Sequence, residues 1–400
     1  MGDASPSQIE FKEAIRVILK NPSIQVTTFW KGRVALYAIL KALGIERGDE
    51  VIMPAFTCVV VPNPVIYLGG VPVYVDIDPH TYNMDVNKIE TRITKHTKFI
   101  IAQNTYGLSS DLDAINSIAQ QHHLTVIEDC AHGFGGYYKG KPNGTVAQAA
   151  FYSTQWNKPF STGLGGIAIT ADNGVAKKLE AFEHACVQPS ALEIFSLKML
   201  FMVRKNILSS STYWAAVRLY RWLSKHNLIL GSSQGEELKY PQKPDAFEKK
   251  LSDFQAETGL LQLSSFNKMQ QHRKKTAAIY HQYLEDLGIR PLCIPSYAEH
   301  GFLRYPLLVK ERRKIFEKAI KAGIELGDWF LSPIHPVDKN FENWHYPWGE
   351  NPVGEKISQH VINLPTHTDV DGKYMDRIQT FLQQNRDCIF SSVEECLQFN

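Results

Sequence analysis

Between residues 51 and 170 short apolar runs recur, separated by stretches with helical or turn character. Val51-Ile52-Met53 stops at Pro54, and Val71-Pro72-Val73-Tyr74-Val75-Asp76 stops at an Asp78-Pro79 turn. Residues 98–103 run into Asn104-Thr105-Tyr106-Gly107, and residues 124–129 end on Asp129. Helices are expected from near Thr57 and over 111–122. Near-continuous apolar runs, as opposed to alternating ones, belong to strands covered on both faces, and intervening helices supply the cover. The pattern predicts an α/β fold with a mainly parallel sheet. In such sheets ligands sit at the carboxyl ends of the strands, which is where Asp129 falls.

Downstream, residues 151–170 read FYSTQWNKPFSTGLGGIAIT and hold one charged side chain, Lys158. Apolar runs bracket it, so the reading is strand, polar loop, glycine turn, strand. An amine on a loop between buried strands can lose its proton by desolvation and attack a carbonyl. Taken alone, the stretch fits an ordinary surface lysine equally well. Asp129 could pair with a cationic ring nitrogen or simply cap a turn, and His132 could meet a ring or serve packing. Upstream, Gly32 opens a helical pattern carrying Leu36, Ile39, Leu40 and Leu43, with Gly44 as its stop. A glycine-led helix start admits an anion, and Arg33 would add charge, although most such helices bind nothing.

With 400 residues the chain can bury one large domain and a smaller one. A net charge of +2 gives no global case for nucleic acid. Its six cysteines form no CxxC pair, so neither a metal knuckle nor a disulfide framework is expected. The first twenty residues lack a signal-peptide core, and a cytoplasmic location is the expectation.

The ordered set GRVAL (32–36), GDEVIMPAFT (48–57), PVYVDIDPHTYNMD (72–85), YGLSSDLDAI (106–115), VIEDCAHGFG (126–135), FYSTQWNK (151–158) and GLGGIAIT (163–170) resembles the DegT-type nucleotide-sugar aminotransferases. SDFQAETGLLQL (252–263) resembles that family's dimer-contact helix, and INLPTH (362–367) its C-terminal segment. The resemblance implies a pyridoxal-phosphate (PLP) enzyme of the aspartate-aminotransferase fold. Its large domain would have a seven-stranded, mainly parallel sheet flanked by helices, followed by a smaller C-terminal α/β domain. It implies Lys158 as the Schiff-base lysine and Asp129 as the acid at the pyridine nitrogen. His132 would lie near the ring hydroxyl and Ser153 on the phosphate. Gly32, Arg33 and Val34 would form the phosphate turn, and Thr57 and Cys58 would match a Thr-aromatic pair. Three features depart from the family. Arg33 replaces a threonine. Cys58 is not aromatic, so ring stacking must come from elsewhere, with His132 the candidate. The family's Asn-Tyr-Arg is absent from PDAFEKKLSDF. An amino acid, commonly glutamate in this family, would be the donor, a nucleotide-linked ketosugar the acceptor, and the chain a homodimer serving surface polysaccharide or glycolipid synthesis.

Residues 1–245 are expected to form the PLP-binding domain and 246–400 the dimer helix and small domain. A strand is expected over 302–309 and a helix over 311–322. Trp329, His335 and His367 are candidates for the substrate site. The stretch 186–245 is expected to be an insertion with no clear counterpart in the compact family members. Residues 196–230 carry six Lys/Arg and no acid, with Arg218, Arg221 and Lys225 on one helical face. That reads either as a hairpin packed on the partner subunit or as peripheral contact with a membrane surface. A PLP-dependent sugar dehydratase is the alternative enzyme. Such relatives carry a histidine at the lysine position, so Lys158 favours transamination. A non-catalytic membrane-associated regulator is the alternative from another class.

Overall fold

The computed structural model describes residues 5–207, 219, 223 and 235–399. The strands before residue 171 are β1 (Gln25–Phe29), β2 (Glu50–Pro54), β3 (Thr57–Cys58), β4 (Val71–Val75), β5 (Thr97–Gln103), β6 (Thr125–Asp129), β7 (Tyr137–Tyr138), β8 (Lys141–Pro142), β9 (Ala149–Ser153) and β10 (Gly166–Thr170). Seven of them form one sheet in the order β1-β10-β9-β6-β5-β2-β4. β10 runs antiparallel to both of its neighbours, and the strands from β9 to β4 are mutually parallel. The register fixes the functional edge. Gln103 pairs with Asp129, Asp129 with Phe151, Ser153 with Gly166, and Gly166 with Phe29. Five strand ends therefore meet along one rim.

The helices up to residue 207 are α1 (Pro6–Ile18), α2 (Gly32–Leu43), α3 (Pro62–Tyr67), α4 (Leu112–Gln121), α5 (Asn173–Ala185) and α6 (Ala191–Ile207). α2 buries ten of its twelve residues, as a helix apolar on nearly every side must. It ends where Gly44 turns left-handed at φ 86°, a conformation glycine adopts without a Cβ penalty. The helix expected from Thr57 begins instead at Pro62, because Thr57 and Cys58 are extended and pair in parallel with Ile334 and His335. β1 was not legible in the sequence.

A capping box of Ser252 and Gln255 starts the helix Asp253–Ser264, and the long helix Phe266–Asp286 follows. The far end of that helix packs Tyr280 and Leu284 into a second core with Ile315, Ile378 and Leu364. Strands Tyr305–Leu308 and Val361–Leu364 pair antiparallel there. The strand starts at 305, not 302, because Phe302 is left-handed at φ 48°. The helix after it spans Arg312–Lys321. Most of the basic stretch read as a membrane-facing helix pair, including Arg218, Arg221 and Lys225, lies outside the described residues. No helix among the described residues is long and apolar enough to cross a membrane.

Candidate active site

Asp129 ends the middle strand of the sheet and is 3% exposed. One oxygen accepts the Ala131 N–H at 2.9 Å. Burial lifts its carboxyl to about 6, against the opposing pull of that N–H and of the Lys158 charge. Lys158 follows β9 in a turn closed by its own N–H donating to Gln155 C=O at 3.0 Å. Lys158 is half-buried and is followed by buried Pro159 and Phe160. Desolvation lowers the amine to about 8, outweighing the attraction of Cys58 and Asp129, and Arg304 lowers it further. Amine and carboxylate thus stand in one electrostatic neighbourhood, each altering the other's proton affinity.

An aromatic stack adjoins the Lys158 amine. The His132 ring lies 4.6 Å from the Trp329 ring at an interplanar angle of 3°. The Lys158 Nζ sits 4.2 Å from the centroid of the same indole. His132 Nδ1 accepts the Tyr106 N–H at 3.3 Å, which places the ring proton on Nε2. Burial, then Lys158 and Arg304, push its pKa well below the usual imidazole range, so the ring is neutral. The Trp329 backbone is pinned from two sides. Asn363 accepts its N–H at 3.1 Å and donates to its C=O at 2.8 Å, and the Tyr106 hydroxyl donates to that C=O at 2.5 Å.

The Thr57 hydroxyl donates to Gln103 Oε1 at 2.6 Å. Cys58 is half-buried and aligned with His335, and His335 Nδ1 accepts the Leu331 N–H at 3.1 Å. Two of the three expected substrate residues, Trp329 and His335, therefore come to this rim. His367 is half-buried, its Nε2 3.1 Å from Glu325, whose other oxygen is 3.6 Å from Arg304.

At the other end, α2 begins against β9. A Cβ on Gly32 would lie 2.9 Å from Ser153 Cβ and 3.2 Å from its Oγ. No side chain caps this helix start, so its positive end faces the serine hydroxyl. Val34 is buried, with its N–H on Lys31 C=O at 3.0 Å. The Arg33 guanidinium meets Glu237 at 2.6 Å, both nearly fully buried. Its charge is balanced by a carboxylate, where the sequence reading had it adding to an anion site. Burial, aided by Arg33, lowers the nearby Lys31 amine to about 8.

The sequence reading did not single out Gln103, Tyr106, Arg273 or Arg304. Gln103 follows the rule that selected Asp129, a polar residue at the end of an apolar strand. Nothing local marks the two arginines, since their burial depends on packing between distant elements. Among the described residues no three His, Cys, Asp or Glu side chains gather as a metal site would require.

The sequence matches the DegT/DnrJ/EryC1/StrS aminotransferase family over residues 6–205 and 218–383, so of the stretch 186–245 expected to be an insertion only 206–217 lies outside the match. It is 30% identical over 361 residues to GDP-perosamine synthase of Caulobacter vibrioides, covering 88% of this chain and 83% of that one. It is 29% identical to UDP-2-acetamido-2-deoxy-3-oxo-D-glucuronate aminotransferase of Pseudomonas aeruginosa, covering 85% and 80%. Among solved structures, NtdA of Bacillus subtilis with bound cofactor PMP superposes with a TM-score of 0.71 at 24% identity, over 95% of this chain and 77% of that one.

Proposed function

The chain belongs to the DegT/DnrJ/EryC1/StrS family of PLP-dependent aminotransferases, and from that premise we propose that it moves an amino group from an amino acid, with glutamate the expected donor, to a nucleotide-linked ketosugar for surface polysaccharide or glycolipid synthesis. One observation carries the reading. A desolvated amine and a buried carboxylate share one rim with an uncapped, glycine-opened helix start set against a serine.

These groups fit pyridoxal phosphate. The α2 start, through Gly32 and the backbone of Arg33 and Val34, and the Ser153 hydroxyl would hold its phosphate. Asp129 would face its ring nitrogen, Lys158 its aldehyde carbon, and His132 the ring hydroxyl. Thr57 and Cys58 would border the ring, and Trp329 supplies an aromatic face where Cys58 cannot. When bound, the cofactor supplies a ring that withdraws electrons from the carbon bearing the amino group.

The chain's own residues then have separable tasks. Asp129 keeps a proton on the ring nitrogen, because its buried carboxylate gains a counter-charge only while that proton stays. Lys158, with an amine pKa near 8, can carry a proton on and off the donor Cα close to neutral pH. His132 is held neutral, with Nε2–H available to donate. Closely packed Trp329, Phe330 and Tyr106 keep water from the reacting carbon.

Lys158→Ala and Asp129→Ala are each expected to abolish turnover with an amino donor and ketosugar. Lys158→Ala also loses the visible absorbance of the lysine-bound cofactor. Full activity in either variant refutes the assignment.

The finer partner reading belongs to the same proposal: a cytoplasmic homodimer whose 196–230 stretch touches an anionic membrane surface. What supports contact is α6, which leaves Leu192, Phe195, Met199, Met202 and Val203 exposed at helical spacing on the single chain.

A further inference from the structure

The long helix Phe266–Asp286 turns one buried face towards the catalytic loops. Phe266, Gln270, Arg273 and Ala277 recur there at helical spacing, and all four are buried. Phe266 packs on Phe134 with ring centroids 4.9 Å apart and on Phe160 at 6.3 Å. The two polar members each reach a backbone carbonyl. Gln270 Nε2 donates to Gly301 C=O at 2.9 Å and to Gly135 C=O at 3.2 Å, which ties down the segment following His132. Arg273 Nη2 donates at 2.7 Å to the C=O of Pro159, the residue after Lys158.

That last bond completes a two-sided hold on the lysine. On its amino side, the Lys158 N–H donates to Gln155 C=O at 3.0 Å. On its carboxyl side, Pro159 fixes its own φ and narrows the conformations open to Lys158. Pro159 and Phe160 are buried, and the guanidinium fixes the carbonyl between them. The backbone is held while the flexible four-carbon stem stays free to swing. Packing alone does not account for an arginine here. It is 7% exposed, and its buried Nη1 has no hydrogen-bond partner among the described residues. Burial, aided by Arg304, lowers its pKa to about 10. A buried cation with an unsatisfied donor is costly, and an apolar side chain of similar length would burden the fold less.

We propose that Arg273 is a positioning residue for Lys158: by holding the Pro159 carbonyl it keeps the lysine amine within reach of the cofactor's aldehyde carbon. This rests on the aminotransferase reading and adds to it what places the lysine. Lys158 has to leave that carbon and come back in every cycle. A tethered amine returns fast only if its backbone is already in place, since a loose loop dilutes the amine over many positions. Arg273 itself touches neither cofactor nor substrate, and no covalent bond forms or breaks at it.

The test titrates the cofactor-free, full-length protein with PLP and with pyridoxamine phosphate, which has no aldehyde and cannot bond to Lys158. Arg273→Met is expected to weaken PLP roughly 10-fold and to leave pyridoxamine phosphate unchanged, a split that a generally damaged site would not produce. Arg273→Lys keeps a charged donor and recovers most of the loss. Placed in a Lys158→Ala background, Arg273→Met changes PLP affinity no further, because the residue it acts through is gone. Arg273→Gln, polar but too short to reach the carbonyl, carries the test if the methionine variant fails to fold. Equal weakening of both cofactor forms overturns the proposal. So does unchanged PLP affinity in Arg273→Met, or an Arg273 effect that persists without Lys158. If Lys158→Ala alone binds PLP as wild type does and keeps its visible absorbance, the aminotransferase reading itself falls, a result distinct from these.

Discussion

Asp129 sits in the cofactor-free fold at a cost. Its carboxyl is raised from 3.8 to about 6 by burial, so the folded chain binds its proton more tightly than the unfolded chain does. The sign follows directly: the stability attached to that proton is full below the unfolded value near 4 and is lost as pH rises through 6. At neutral pH the ionised group destabilises the cofactor-free protein by about 1–3 kcal/mol. Asp129→Asn is isosteric and can still accept the Ala131 N–H. The cofactor-free variant is expected to melt several degrees above wild type at pH 8 and level with it at pH 5, while transamination is lost. Melting curves across that pH range decide it, and a variant less stable than wild type at pH 8 refutes the sign. A residue that weakens the empty fold and serves a bound ring is what a stability–function trade-off predicts.

At the scale of elements, the cup between α2 and β9 depends on the absence of one methyl group. Gly32→Ala places a Cβ 2.9 Å from Ser153 Cβ, and neither a strand nor a buried helix yields easily. The expected result is a cofactor dissociation constant raised about 10-fold or more, with a stability loss of about 1–3 kcal/mol. Equilibrium dialysis with PLP, beside a denaturant titration, separates the two effects, and unchanged affinity removes α2 from the phosphate site. Elements of this kind were the most legible in the sequence. The β-runs and Gly32-to-Gly44 helix announce themselves through local periodicity and glycine chemistry, and Asp129 through its place at a strand end. β1 escaped because Gln25-Val26-Thr27-Thr28-Phe29 is short and has only two apolar residues, its burial coming from β10 and α5. The early helix expected at Thr57 failed for a related reason. Pairing with Ile334–His335, nearly three hundred residues away in the chain, overrides local preference. Trp329 could be named as a candidate, but its stack on His132 required that same long-range pairing. The Arg33–Glu237 pair was equally hidden, since Glu237 lies more than two hundred residues downstream.

At the scale of the whole molecule, α6 links the surface to the catalytic loop. One side of it seats Leu197 among Trp30 and Leu164, and Phe201 meets Trp156 with ring centroids 4.6 Å apart. Trp156 precedes Lys158 by two residues, so this face of α6 lies over the lysine's own loop. The opposite face carries the exposed residues Leu192, Phe195, Met199, Met202 and Val203. Five apolar side chains at spacings of three, four, three and one make a stripe, and a stripe that wide on a soluble surface marks an interaction site. The stretch that follows adds Arg218, Arg221 and Lys225 with no acid, the composition that attracts an anionic surface. If the stripe lies on such a surface, wild type floats with vesicles containing phosphatidylglycerol and is released by high salt. Phe195→Glu with Met202→Glu abolishes flotation, because two carboxylates oppose both the apolar and the electrostatic terms. Turnover of the soluble enzyme is unchanged, since neither side chain is among those facing Lys158. If the partner subunit covers the stripe instead, the double variant sediments at the mass of a monomer and wild type does not float. These results exclude one another, so flotation and sedimentation on the same two proteins decide what this face meets.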